Sequence, residues 1–233
     1  MSVAPTPDDV RTPAWGLGEV GAGILIGFVS WAVGSAIVLS ATGHVQGEQL
    51  SLTEATLLQL FLWVGYVGVP LWVARGVGLR QTFGLVQRWF DLPGGLALGV
   101  ACQLALGVLY WPVTELLHVD VSKQAQEVVD RAHGSGIAVL VVSVVFGAPF
   151  VEELFFRGLM YGALDRRWNA LVAVVGASAT WAVLHLEPVQ FAGLFLFGLV
   201  LGELVRRTGR LGPSMWTHVG FNAMTVGWLL LKR

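Results

Sequence analysis

A chain of 233 residues that is 55% hydrophobic and only 12% charged lies far from an ordinary soluble domain, where about 25% of residues carry charge. A net charge of −1 excludes a basic surface for nucleic acid and an acidic tail. The single cysteine, Cys102, excludes an internal disulfide framework, and the 30 glycines suit helices that approach closely in a bilayer.

In chain order, Met1 to Gly18 holds Pro5, Pro7, Pro13, Asp8 and Asp9 without the basic-then-apolar order of a signal peptide. It reads as a short disordered tail. A membrane core of ~30 Å is crossed by about 17–25 apolar residues. Such stretches run from Val20 to Ala41, Ala55 to Ala74 (with Pro70 inside), Leu92 to Thr114 and Ser135 to Leu164. Three more run from Trp168 to Leu186, Pro188 to Leu204 and Leu211 to Leu231. Between the third and fourth, His118 to His133 places Val121, Ala125, Val128 and Ala132 at helical spacing among charges. This predicts an amphipathic helix on the membrane surface, or a solvated linker helix. The expected fold is an all-α polytopic transmembrane helical bundle of about seven spans, eight if a further crossing exists. Its parts are a tail over 1–18, spans one to three plus the interfacial helix over 19–134, and a helical core over 135–233.

Loop charges set the orientation. With seven spans, Arg11, Arg75, Arg80, Arg88, Arg166, Arg167, Arg206, Arg207 and Arg210 fall on the N-terminal side, against Lys123, Arg131, Lys232 and Arg233 on the other. The N-terminus is therefore expected in the cytoplasm, with the chain in the plasma (inner) membrane. Trp15, Trp89, Trp168 and Trp228 fall near span ends, where indole rings favour the headgroup level.

The fourth span alone carries charges in its interior: Glu152, Glu153 and Arg157. Each costs roughly 2.5–3.5 kcal/mol at the centre of a membrane helix, so each needs a partner or a cavity. Glu153 and Arg157 are four apart and can form an ion pair. Glu152 is rotated about 100° from Glu153 and needs water, a proton, a metal or a histidine from another helix. The fifth span ends at His185, and the seventh contains His218 and Asn222, which share a face at four-residue spacing. At ~1.5 Å per residue, Glu152 and His185 lie at comparable depth, whereas His218, counted from Arg210, falls short of it.

A carboxylate near a histidine can act as general base toward water, while a second histidine and an amide can donate to a developing oxyanion. This is a hydrolase constellation. The same groups can hold a divalent metal such as zinc. They can also relay protons in a transporter, or serve as interhelical glue in a catalytically silent membrane partner or immunity-type protein. Glu203 with Arg207, and Glu115 with His118, read as surface or structural groups.

Glu152-Glu153-x-x-x-Arg157, Trp181-x-x-x-His185 and His218-x-x-x-Asn222, in this order, resemble the CAAX prenyl protease and bacteriocin-processing family of intramembrane endopeptidases. Trp181 stands where phenylalanine is common in that family. The resemblance implies a protease whose Glu152 activates water with His185, while His218 and Asn222 stabilise the oxyanion and Glu153 and Arg157 support the geometry. It implies a membrane-associated, prenylated or leader-peptide substrate, and leaves open a glutamate-driven or metal-dependent mechanism. The first ~135 residues carry no motif of the family. No His-Glu-x-x-His zinc motif occurs.

Overall fold

The computed structural model describes residues 15–43, 49–118 and 120–233. Among these there are nine helices: α1 (Leu17–Thr42), α2 (Leu52–Val73), α3 (Leu79–Phe83), α4 (Asp91–Leu117), α5 (Lys123–Asp130), α6 (Gly136–Arg167), α7 (Ala170–Leu184), α8 (Phe191–Thr208) and α9 (Gly212–Leu231). An all-helical solution follows from the composition, because a helix satisfies its own backbone hydrogen bonds where no water can. α1, α2, α4 and α6 are each long and apolar enough to cross a membrane, whereas α7, at 15 residues, is a shorter apolar helix. Four of the described helices thus meet the measure for a membrane span, and the other three stretches expected to cross fall on α7, α8 and α9. Most of the tail expected over 1–18 lies outside the described residues.

Glycine sets the closest helix contacts. α1 and α2 meet where Gly65 faces Gly23 and Gly27, so close that a Cβ at Gly65 would collide with the Gly23 carbonyl. α4 and α9 meet in the same way: a Cβ at Gly99 would collide with the Thr217 carbonyl, and one at Gly220 would sit 2.6 Å from the Leu96 carbonyl. α8 lies against α7 with Gly198 on Ser178 and Gly202 on Val174. The long helix α6 runs between these pairs and touches α1, α2, α7, α8 and α9. Its aromatic side chains fill the core, with Phe155 stacked on Tyr66 at 4.4 Å and Phe156 edge-on to the same ring. Trp15, partly buried, packs against this core. Its indole donates to the Leu159 carbonyl at 3.0 Å and its ring meets Phe83 edge-on.

α6 contains two π-helical stretches, Val141–Gly147 and Glu153–Met160. The first ends just before Pro149. The Ala148 amide bonds to the Ser143 carbonyl five residues back. The next bond in that register would come from residue 149, which is proline and has no N–H. The Val144 carbonyl is thereby left open.

The amphipathic helix is shorter than the sequence pattern predicts, eight residues instead of His118 to His133. It lies on α9 and buries Val129, with Ala132 just past its end. Arg233 holds that end, donating to the Ala132 carbonyl at 2.7 Å and pairing with Asp130 at 3.5 Å.

Because α9 seats against α4 through glycine, Gly99→Leu should lower stability by roughly 1–3 kcal/mol or more, the range for overpacking. Gly94→Ala, whose Cβ meets nothing within 4 Å, should leave the thermal midpoint of the detergent-solubilised protein unchanged. Equal midpoints for both variants would contradict this packing.

Candidate active site

Three helices bring the polar groups together. Glu153, fully buried, bonds Arg157 at 3.0 Å, the ion pair expected from their spacing. The same Glu153 oxygen lies 3.1 Å from Nδ1 of His218. Arg157 is also buried; it donates to the Gly198 carbonyl at 3.3 Å and lies 4.8 Å over the ring of Trp181. One carboxylate thus ties α6 to α9, while its partner guanidinium ties α6 to α7 and α8.

Glu152 points elsewhere, as its rotation on the helix requires. Its side chain keeps 16% of its surface accessible, and Oε2 lies 4.0 Å from Nε2 of His218. The same oxygen accepts a 2.6 Å hydrogen bond from the indole N–H of Trp181. Glu152, Trp181, His185, His218 and Asn222 all line one cavity of about 410 Å³, which Gln59 of α2 and Val128 of α5 also border.

Hydrogen-bond partners fix the tautomers. Nδ1 of His185 is 2.7 Å from the Trp181 carbonyl, which can only accept, so Nδ1 carries the proton and Nε2 holds the lone pair in the neutral ring. Nδ1 of His218 faces the Glu153 carboxylate and likewise carries a proton. Nε2 of His218 therefore donates into the cavity only in the imidazolium form. Asn222 donates its Nδ2 to the Val144 carbonyl at 2.9 Å, the group left open by Pro149. That bond locks α9 to α6 and uses one of two amide hydrogens, leaving the other available to a ligand.

The shortfall in depth reckoned for His218 is not seen, since its Nε2 lies 4.0 Å from Glu152 Oε2. At the start of α9, Arg210 donates to Asp91 at 2.6 and 3.1 Å, and Leu211, fully buried, donates its backbone N–H to the Gly84 carbonyl.

The sequence reading passed over Trp181 as a polar partner, although an indole N–H where a phenyl ring has none was a visible signal. It also passed over Gln59, a carboxamide in an apolar span, and the Asp91–Arg210 pair. Glu152 and His185 border the same cavity without a direct bond; Trp181 links them, with its side chain on one and its carbonyl on the other.

Glu152 Oε2 and His218 Nε2 are 4.0 Å apart, and among the described residues no three His, Cys, Asp or Glu side chains are grouped to hold an ion.

These features define a membrane-type helical bundle with a carboxylate, two histidines and an amide around an internal cavity. Residues 134–224, which contain all three motifs, match the family described as Type II CAAX prenyl endopeptidase Rce1-like. The matched segment is similar to that family and covers less than half of the chain. The chain is also similar to a Bacillus subtilis protein named "Putative membrane peptidase YdiL", with 25% identity over 105 residues, 45% of this chain and 42% of that protein. The match thus spans less than half of either chain. No solved structure matches at comparable stringency.

Removing one partner of a buried ion pair leaves an uncompensated charge, at a cost of about 3–5 kcal/mol. Glu153→Ala should therefore destabilise the solubilised protein by that order. The double variant Glu153→Leu, Arg157→Met should unfold at a higher temperature than Glu153→Ala. A double variant less stable than the single one would contradict a pair whose charges balance each other.

Proposed function

We propose that the protein is an intramembrane endopeptidase that hydrolyses a peptide bond in a membrane-associated substrate. The observation that carries this reading is the convergence of Glu152, His185, His218 and Asn222, from three helices, on one cavity. The family match over 134–224 supports it independently.

In this reading Glu152 takes a proton from a water molecule, and the oxygen attacks the scissile carbonyl. His185 presents its Nε2 lone pair to the same cavity and shares in orienting that water. The carbonyl oxygen becomes an oxyanion, to which His218 in its imidazolium form donates from Nε2 and Asn222 donates its second amide hydrogen. Collapse breaks the C–N bond, and the proton held by Glu152 passes to the leaving amine. Glu153 and Arg157 stand behind this set: Glu153 orients the His218 ring, and Arg157 balances the buried carboxylate.

The substrate enters at membrane depth, so prenylated C-termini, leader peptides and other membrane proteins are the classes to test. The basic loops favour a plasma-membrane protein with its N-terminus in the cytoplasm.

Purified protein in lipid vesicles should cleave members of a leader and prenylated-peptide library. Glu152→Ala should lower the rate by about 10²–10⁴, the range for a positioned general base. His218→Ala should lower it by about 10²–10³, the range for an oxyanion donor. Undiminished cleavage by Glu152→Ala would overturn the assignment. Loss of cleavage on chelation, with rescue by zinc, would overturn the route through protein groups alone.

A further inference from the structure

We infer that Trp181 is a positioning residue for the hydrolytic carboxylate and that it sets the geometry of Glu152 and His185 together. The inference rests on the reading of Glu152 as general base and assigns a role to a residue outside the hydrolytic set.

Trp181 is 1% exposed and is fixed on several sides. Its ring meets His185 edge-on at 4.6 Å and His218 edge-on at 5.4 Å, with Arg157 over it at 4.8 Å. The ring cannot turn without displacing all three. Its Nε1–H therefore points in a fixed direction, at Oε2 of Glu152, 2.6 Å away. An indole N–H only donates and does not exchange roles with its acceptor. It leaves Oε1 as the oxygen free to take a proton from water.

The backbone of the same residue serves the second group. In a continuing helix the Trp181 carbonyl would accept from the His185 amide. α7 instead tightens at its end, where the His185 amide bonds Ala182 and the Leu186 amide bonds Val183. Leu186 then takes a left-handed conformation, φ 56°. The Trp181 carbonyl is thereby freed, and the His185 imidazole claims it at 2.7 Å. One residue holds the carboxylate by its side chain and the imidazole by its main chain, so the two need no bond to each other to keep register.

Trp181→Phe keeps an aromatic ring at this position but removes the N–H together with part of the bicyclic indole. It should lower kcat roughly ten- to a hundred-fold, the loss expected for a hydrogen bond to a charged group, with KM unchanged and a thermal midpoint lowered by the smaller core side chain. A second readout requires no activity. In ¹⁵N-indole spectra of the solubilised full chain, the Trp181 resonance is identified by its absence in Trp181→Phe. Deleting the acceptor in Glu152→Ala should shift that resonance and leave the indoles of distant tryptophans in place. A Trp181 signal unmoved by Glu152→Ala, or Trp181→Phe with the parental kcat, would overturn the inference. Should Trp181→Phe fail to fold, substituting each remaining tryptophan singly identifies the resonance, and its shift in Glu152→Ala decides alone. Should no form of the protein cleave peptide, the function proposed above fails while the spectra still decide the Trp181–Glu152 bond.

Discussion

Arg157 and Glu153 are both essentially without access to solvent, on a helix whose surroundings are apolar. A guanidinium in that position is tolerable only with a carboxylate beside it, and four-residue spacing supplies one. The pair then dictates what else can be near. The shared Glu153 oxygen takes up the His218 ring as well, and the guanidinium takes the Gly198 carbonyl and the Trp181 face. Four helices are registered against one ion pair. Glu152, next in sequence and turned away, is left facing the cavity with His218 Nε2 at 4.0 Å. His218, which borders the cavity, is thus held by a carboxylate that does not line it.

A second constraint works through the backbone. Pro149, just past the first π-helical stretch, has no N–H to offer, and the Val144 carbonyl becomes a docking point for Asn222. π-helical turns occur often at functional sites, and here a second one begins at Glu153. The start of α9 adds the third tie: Arg210 bonds Asp91, and the Leu211 amide bonds the Gly84 carbonyl. Together these place His218 and Asn222, four residues apart on α9, beside Glu152 and Val144 respectively.

Much of this was legible in the sequence because the physics was local. Long apolar runs reported helices, and the Glu153–Arg157 spacing reported its ion pair. The cost of charge in a membrane marked Glu152, His185, His218 and Asn222 as residues needing a shared environment. What escaped was set by contacts distant in sequence. That His218 meets Glu152 depends on how α9 packs against α6, and no periodicity encodes that. The amphipathic helix stops at Asp130, where Arg233 pairs with that residue and donates to the Ala132 carbonyl, a tie the apolar repeat does not encode. Trp181 was visible only as an unusual aromatic, since its N–H acquires meaning once Glu152 is known to face it across 29 residues of chain.

The central claim is that a peptide bond is presented to Glu152 and His218 within one cavity at membrane depth. The most direct measurement is a structure of the Glu152→Gln variant in lipid nanodiscs with an uncleaved substrate peptide bound. The account predicts an extended peptide in the cavity beneath α5, its scissile carbonyl oxygen within about 2.6–3.2 Å of His218 Nε2 and its carbonyl carbon beside the residue at 152. A peptide bound outside this cavity, or a bound peptide whose scissile bond lies away from both side chains, would contradict it.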